Sequence, residues 1–84
     1  MTLVNRWYAG TNAQHVEVEF RVEGNDLDEY YIVKQSGGKS ETVDHLYYGG
    51  NESRLSAVSA ACAMALMMAN SERVRNGYDP LVLT

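Results

Sequence analysis

Apolar and polar positions alternate most cleanly between His15 and Glu23, where Val16, Val18, Phe20 and Val22 interleave with Glu17, Glu19, Arg21 and Glu23. A period of two places the valines and the phenylalanine on one face of a β-strand and the charged residues on the other, so this stretch predicts a strand buried on one side only. Before it, residues 2–8 (TLVNRWY) mix β-formers with single polar residues and run into Gly10-Thr11-Asn12, which predicts a first strand ending in a turn. After it, Gly24-Asn25-Asp26 tolerates left-handed backbone and predicts a hairpin into Glu29-Tyr30-Tyr31-Ile32-Val33-Lys34. A second reversal at Ser36-Gly37-Gly38-Lys39 leads into Glu41–Tyr48. In that last strand Thr42, Leu46 and Tyr48 share one face and Val43, His45 and Tyr47 the other, and the pattern leaves the inward face open.

The period changes after Gly49-Gly50-Asn51. From Ser53 to Arg75 the chain reads SRLSAVSAACAMALMMANSERVR, a helix that is apolar nearly all round and so is expected to be covered on more than one side. Asn51 or Ser53 suits its N-cap and Glu52 its positive end, while Arg73 and Arg75 suit the negative end and Gly77 a left-handed termination. The order is ββββα. It predicts an α+β fold, an antiparallel four-stranded meander with one long C-terminal helix across one face, and Leu81-Val82-Leu83 adding a short terminal strand or tucking beneath the sheet. Leu55, Val58, Cys62, Leu66 and Ala69 are expected to cover the sheet. Ala57, Ala61, Met64, Met67 and Met68 would then form a flank adapted to a second copy of the chain, a homodimer.

Eighty-four residues give room for a single domain, residues 1–84, that is marginal on its own. The formal charge of −4 argues against general nucleic-acid binding, because phosphates are held by Lys and Arg and the chain has seven of them. The acidity is local: Glu17, Glu19, Glu23, Asp26, Asp28 and Glu29 face Arg21 alone within that segment. Cys62, the one cysteine, excludes an intrachain disulfide framework. The first residues lack a basic lead and a continuous apolar run, and the longest apolar stretch is about half a membrane span, so the expectation is a cytoplasmic protein.

The string GGNESRLSAVSAACAMAL, with Ser53, Arg54, Ala57, Ala60, Ala61, Ala65 and Leu66 at their spacings, resembles the last helix of double-stranded RNA-binding domains. That resemblance implies a sheet before the helix and phosphate contacts at the helix start, with Arg54, Lys39 and Arg6 as the available cations. The departures lie in the same segment: Leu55 and Glu52 flank Arg54 where a basic cluster is expected, and residues 2–8 read as a strand where the family has a helix.

Two readings attach to the acidic strand. Carboxylates at alternate positions are spaced about 7 Å apart, near the spacing of successive phosphates, so the face can imitate nucleic acid or dock on a basic groove. The same charges also keep an exposed sheet from aggregating. Three aromatic doublets, Trp7-Tyr8, Tyr30-Tyr31 and Tyr47-Tyr48, send one ring of each pair to each face, leaving exposed tyrosines, Tyr31 among them, beside carboxylates. His15, His45 and Cys62 lack the paired spacing of a zinc site, and no metal or cofactor is expected. Ser36-Gly37-Gly38-Lys39-Ser40 has the composition of a phosphate loop but joins two strands, so no helix end faces it. The chain therefore reads as a non-enzymatic, acidic protein-binding module with Glu17, Glu19, Glu23, Asp26, Asp28, Glu29 and Tyr31 as its contact residues. In format and charge it resembles small phage-encoded inhibitors such as anti-CRISPR proteins, which implies steric occupation of a basic nucleic-acid channel on a protein target. A small phage assembly subunit is a further alternative.

Overall fold

The computed structural model of the chain describes residues 2–25, 29–47 and 54–82, apart from the side chains of Arg54 and Leu55. Four strands, β1 (Thr2–Thr11), β2 (Glu17–Gly24), β3 (Glu29–Ser36) and β4 (Lys39–Tyr47), precede one helix, α1 (Arg54–Arg75). Each strand pairs antiparallel with the next, in the spatial order β1-β2-β3-β4. The expected α+β meander with a helix on one face is thus the fold. Its Cα extents of 42 × 27 × 15 Å fit two layers.

The β2 alternation sets the core. Val18, Phe20 and Val22 point at the helix and are buried, and the register brings Ile32 and Tyr30 of β3 onto the same face. Val18, Val22 and Ile32 are fully buried, each contributing about 1.5–3 kcal/mol relative to an exposed position.

Three local expectations are corrected. The first strand does not stop before Gly10: β1 continues to Thr11, and Gly10, at φ 94°, sits where the register against β2 slips between Tyr8 and Gly10. The glycine serves a β-bulge, which needs a left-handed residue as much as a turn does. The turn comes later, closed by Asn12, whose side-chain oxygen accepts the backbone N–H groups of Gln14 (3.0 Å) and Val16 (3.1 Å).

In β4 neither single face is inward. A bulge opposite Ile32/Val33 leaves Val43 without a partner residue, so the phase changes midway. Leu46 packs against the core opposite Tyr30, and Val43 lines a helix-side groove with Phe20 and Met68, whereas Thr42 and His45 pair with the outward Val33 and Tyr31.

The helix face is wider than expected: Leu66 and Ala69 are buried and Val58 and Cys62 pack against the core as predicted, but Ala57 and Ala61 join them. Ala57, Ala61, Ala65 and Ala69, spaced four apart, are the residues buried against the sheet, with Leu66 beside them. Ala57 and Ala61 are therefore interior to the monomer and cannot be a dimer surface. Met64 and Met68 pack partly against the same core; only Met67, of the five residues assigned to that flank, stands out, 70% exposed. The physical reason is distance. Small residues on one i, i+4 ridge let the helix approach the sheet closely, and the bulkier Val58, Cys62, Met64 and Met68 wedge in at its sides.

Gly77 terminates α1 as expected. At φ 87° it allows Tyr78 N–H to reach Arg73 O (2.8 Å) and its own N–H to reach Val74 O (3.2 Å), a Schellman cap. The N-cap candidates Asn51 and Ser53, and Glu52 expected at the helix's positive end, lie outside the described residues, as do Tyr48 and Leu83. The tail forms no terminal strand among the described residues. Asn70 takes both backbone groups of Leu81, donating to its carbonyl (2.9 Å) and accepting its N–H (2.7 Å), so the groups a sheet edge would use are spent on the helix.

Candidate functional site

With α1 on one face, the opposite face of the sheet carries the residues expected to contact a partner. Register aligns them in rows across the strands: Tyr8, Glu19, Gln35 and Ser40; Arg6, Arg21, Val33 and Thr42; Leu3, Glu23, Tyr31 and His45. Residues directly opposite on neighbouring strands point the same way, so each row is a line of side-chain neighbours. The first two aromatic doublets divide as expected: Trp7 packs against the core while Tyr8 is exposed, and Tyr30 is buried while Tyr31 faces outward. Tyr47 is 69% exposed.

The acidic face is not a bare run of carboxylates. Arg6, delivered by β1, stands 3.6 Å from Glu19, and Arg21 lies 3.8 Å from Glu23 while its other terminal nitrogen donates to Gln35 Oε1. Sequence spacing shows Arg21 in the segment but cannot show Arg6, which arrives through strand pairing. Glu17 is exposed and has no ion-pair partner among the described residues. Asp26 and Asp28 lie outside them.

Glu29 is the most elaborately held acid. Its Oε2 accepts from the Tyr31 hydroxyl (3.0 Å) and meets His45 Nε2 (3.0 Å); Asn25 Nδ2 reaches Oε1 at 3.4 Å. The Tyr31 and His45 rings stack at 4.5 Å, 8° from parallel. The Tyr31 hydroxyl, with Asn25 and then His45 adding to it against the opposing effect of burial, holds the Glu29 carboxyl below its ordinary range, and the same bond raises the Tyr31 phenol.

A second cluster has no signal in the sequence pattern because its members lie at opposite ends of the chain. The Tyr78 ring packs over Gly10, where an added Cβ would lie 2.6 Å from it, and its hydroxyl accepts Thr11 N–H (3.2 Å), which lowers the phenol. Arg73 lies over the same ring and donates to Tyr8 O (2.9 Å) and Asp79 O (2.6 Å). Tyr8 meets Tyr78 edge-on at 6.3 Å and hydrogen-bonds Thr11 Oγ1 (2.9 Å). The helix end thereby fixes Tyr8 at the margin of the outer face. Beside it an open groove of about 530 Å³ is lined by Tyr8, His15, Val16, Glu17, Val18, Glu19, Gln35 and Gly37.

The cations of the RNA-binding reading are not brought together. The C-terminal end of α1 meets Tyr8 and Thr11, at the end of the sheet where Lys39 begins β4; Arg54, which opens the helix, lies about 33 Å back along its axis. Arg6 faces Glu19. Among the described residues no group of three His, Cys, Asp or Glu is placed to hold a metal ion. His15 sits in the β1–β2 loop, His45 on β4, and Cys62 half-buried in α1 with its thiol pushed up by burial. No described helix is long and apolar enough to cross a membrane. No protein-family model matches the chain, and no curated protein or solved structure matches it, so its functional reading rests on the outer face itself.

Proposed function

We propose that the protein is a non-enzymatic binding module that docks the outer face of its sheet on a basic surface of a protein partner. The observation that carries this reading is the pairing of outward-facing aromatic rings, exposed Tyr8 and Tyr47 and half-buried Tyr31, with carboxylates Glu17, Glu19, Glu23 and Glu29 on the sheet face that, among the described residues, no helix covers. Tyrosine buries much area at small entropic cost while its hydroxyl stays satisfied, and rim carboxylates steer a positively charged partner into register. Steric occupation of a nucleic-acid channel, in the manner of small phage-encoded inhibitors, is the activity such a face suits best.

Capture from a lysate of the producing cells tests the reading. The wild-type chain is expected to retain a partner that the double variant Glu17→Lys, Glu19→Lys releases, with an unchanged far-ultraviolet circular-dichroism spectrum. Equal capture by both chains overturns it. A gel shift with duplex RNA at low salt is expected to show no complex at micromolar protein.

A further inference from the structure

The groove at the hairpin end of the outer face has the volume of a small-ligand site and a lining of mixed polarity, with Tyr8 and His15 on one side, Gln35 and Gly37 on the other and Glu17 and Glu19 between them. We infer that this groove takes an arginine side chain presented by the partner, an inference that rests on the protein-binding reading and names the chemistry the partner must offer.

Charge is the first ground. The Glu17 carboxylate is exposed without an ion-pair partner among the described residues, and Glu19 meets Arg6 only at 3.6 Å, beyond hydrogen-bond length. The groove therefore keeps unused acceptor capacity for a cation. Shape is the second. The Tyr8 ring is 43% exposed, and it is held in place by its hydroxyl contact with Thr11 and its edge-on contact with Tyr78. A planar guanidinium can stack on such a ring and bond a carboxylate through two parallel N–H groups, which a lysine ammonium cannot do.

The other candidate positions on the molecule do not suit a cation. The groove between α1 and the β3–β4 edge brings Lys34 and Arg75 of its own, and Glu72 there is already bonded to Arg75 at 2.9 Å. Glu29 is occupied by Tyr31, Asn25 and His45.

The test is a titration of the isotope-labelled full chain with N-acetyl-arginine methylamide, read by amide and aromatic chemical shifts, with the lysine analogue as comparator. Saturable shifts are expected at Glu17, Glu19, Gln35 and the Tyr8 ring, with the arginine analogue binding more tightly than the lysine one. Glu17→Gln is expected to weaken binding about tenfold, the worth of a charge-assisted hydrogen bond. Glu41→Gln, at an equally exposed carboxylate on β4, is expected to leave it unchanged. Absence of groove shifts, no preference for arginine, or an equal loss with Glu41→Gln overturns the inference. Because no partner is present in the titration, a groove that takes arginine while capture fails overturns the partner reading alone. A captured partner with an unresponsive groove overturns this inference alone.

Discussion

Glu29 shows how one side chain's chemistry is set by its neighbours. The Tyr31 hydroxyl is the largest of the influences holding its carboxyl below the ordinary range, so the native state favours the ionised form more than the unfolded chain does. A lowered native pKa stabilises the fold fully above the unfolded carboxyl range, and that contribution is lost as pH falls through the native value. Tyr31→Phe removes the main cause. The stability difference between wild type and Tyr31→Phe is expected to be present at neutral pH and to shrink on acidification, with the Glu29 carboxyl titrating higher in the variant by NMR. An unchanged Glu29 titration would remove the hydroxyl from this role. Gly10 is the other residue on which much depends. An alanine there meets both an unfavourable φ of 94° and the Tyr78 ring 2.6 Å from its Cβ, and Gly10→Ala is expected to destabilise by about 1–3 kcal/mol in urea unfolding. Gly38, with open space around it, serves as the control and is expected to tolerate alanine.

At the scale of elements, the strands were legible because a sheet with one wet face imposes a period of two, and the β2 segment shows it without interruption. The bulges were not. A residue such as Val43 carries no compositional mark of being the extra one in its strand, and Gly10 signals left-handed backbone without saying whether a bulge or a turn will use it. The sheet-facing side of α1 was partly legible: Leu66 and Ala69 are buried and Val58 and Cys62 pack against the core as their pattern suggests, whereas the burial of Ala57 and Ala61 follows from the close approach of helix to sheet, which bulk alone does not signal. The charge balance of the outer face was only half legible for a related reason: Arg6 reaches Glu19 through pairing of strands, which local spacing does not encode. The alanine ridge makes a sharp prediction. Ala61→Leu adds three heavy atoms at a fully buried site and is expected to cost about 1–3 kcal/mol, while Ala60→Leu, on the exposed side of the same turn, is expected to stay within about 0.5 kcal/mol. Equal effects in thermal or urea unfolding would mean that the helix does not lie on its alanines.

For the molecule as a whole, the two sheet faces differ: one is covered by the helix, and the other, among the described residues, is free of it and carries the proposed docking surface. The outer side of α1 offers less than its composition suggested. Its exposed large apolar side chains among the described residues are Met67 and Val74, near the exposed Pro80, and the other exposed helix residues are Ser56, Ser59, Ala60, Ala63, Ser71 and Arg75. Such a strip is small against the roughly 800 Å² per partner of a stable interface. The sheet edges are partly closed as well. On β1 the Asn5 side chain accepts the backbone N–H of Arg6 (2.8 Å), and on β4 Asp44 accepts that of His45 (2.8 Å), so at each edge a donor that a second sheet would use is already engaged. Multi-angle light scattering is therefore expected to give the mass of one chain, 9.4 kDa, at micromolar concentration. A dimer mass that reverts to a monomer on Met67→Glu would instead assign association to the helix strip. A dimer abolished by replacing Tyr31 or Tyr47 would place the association on the outer face, in competition with the proposed partner.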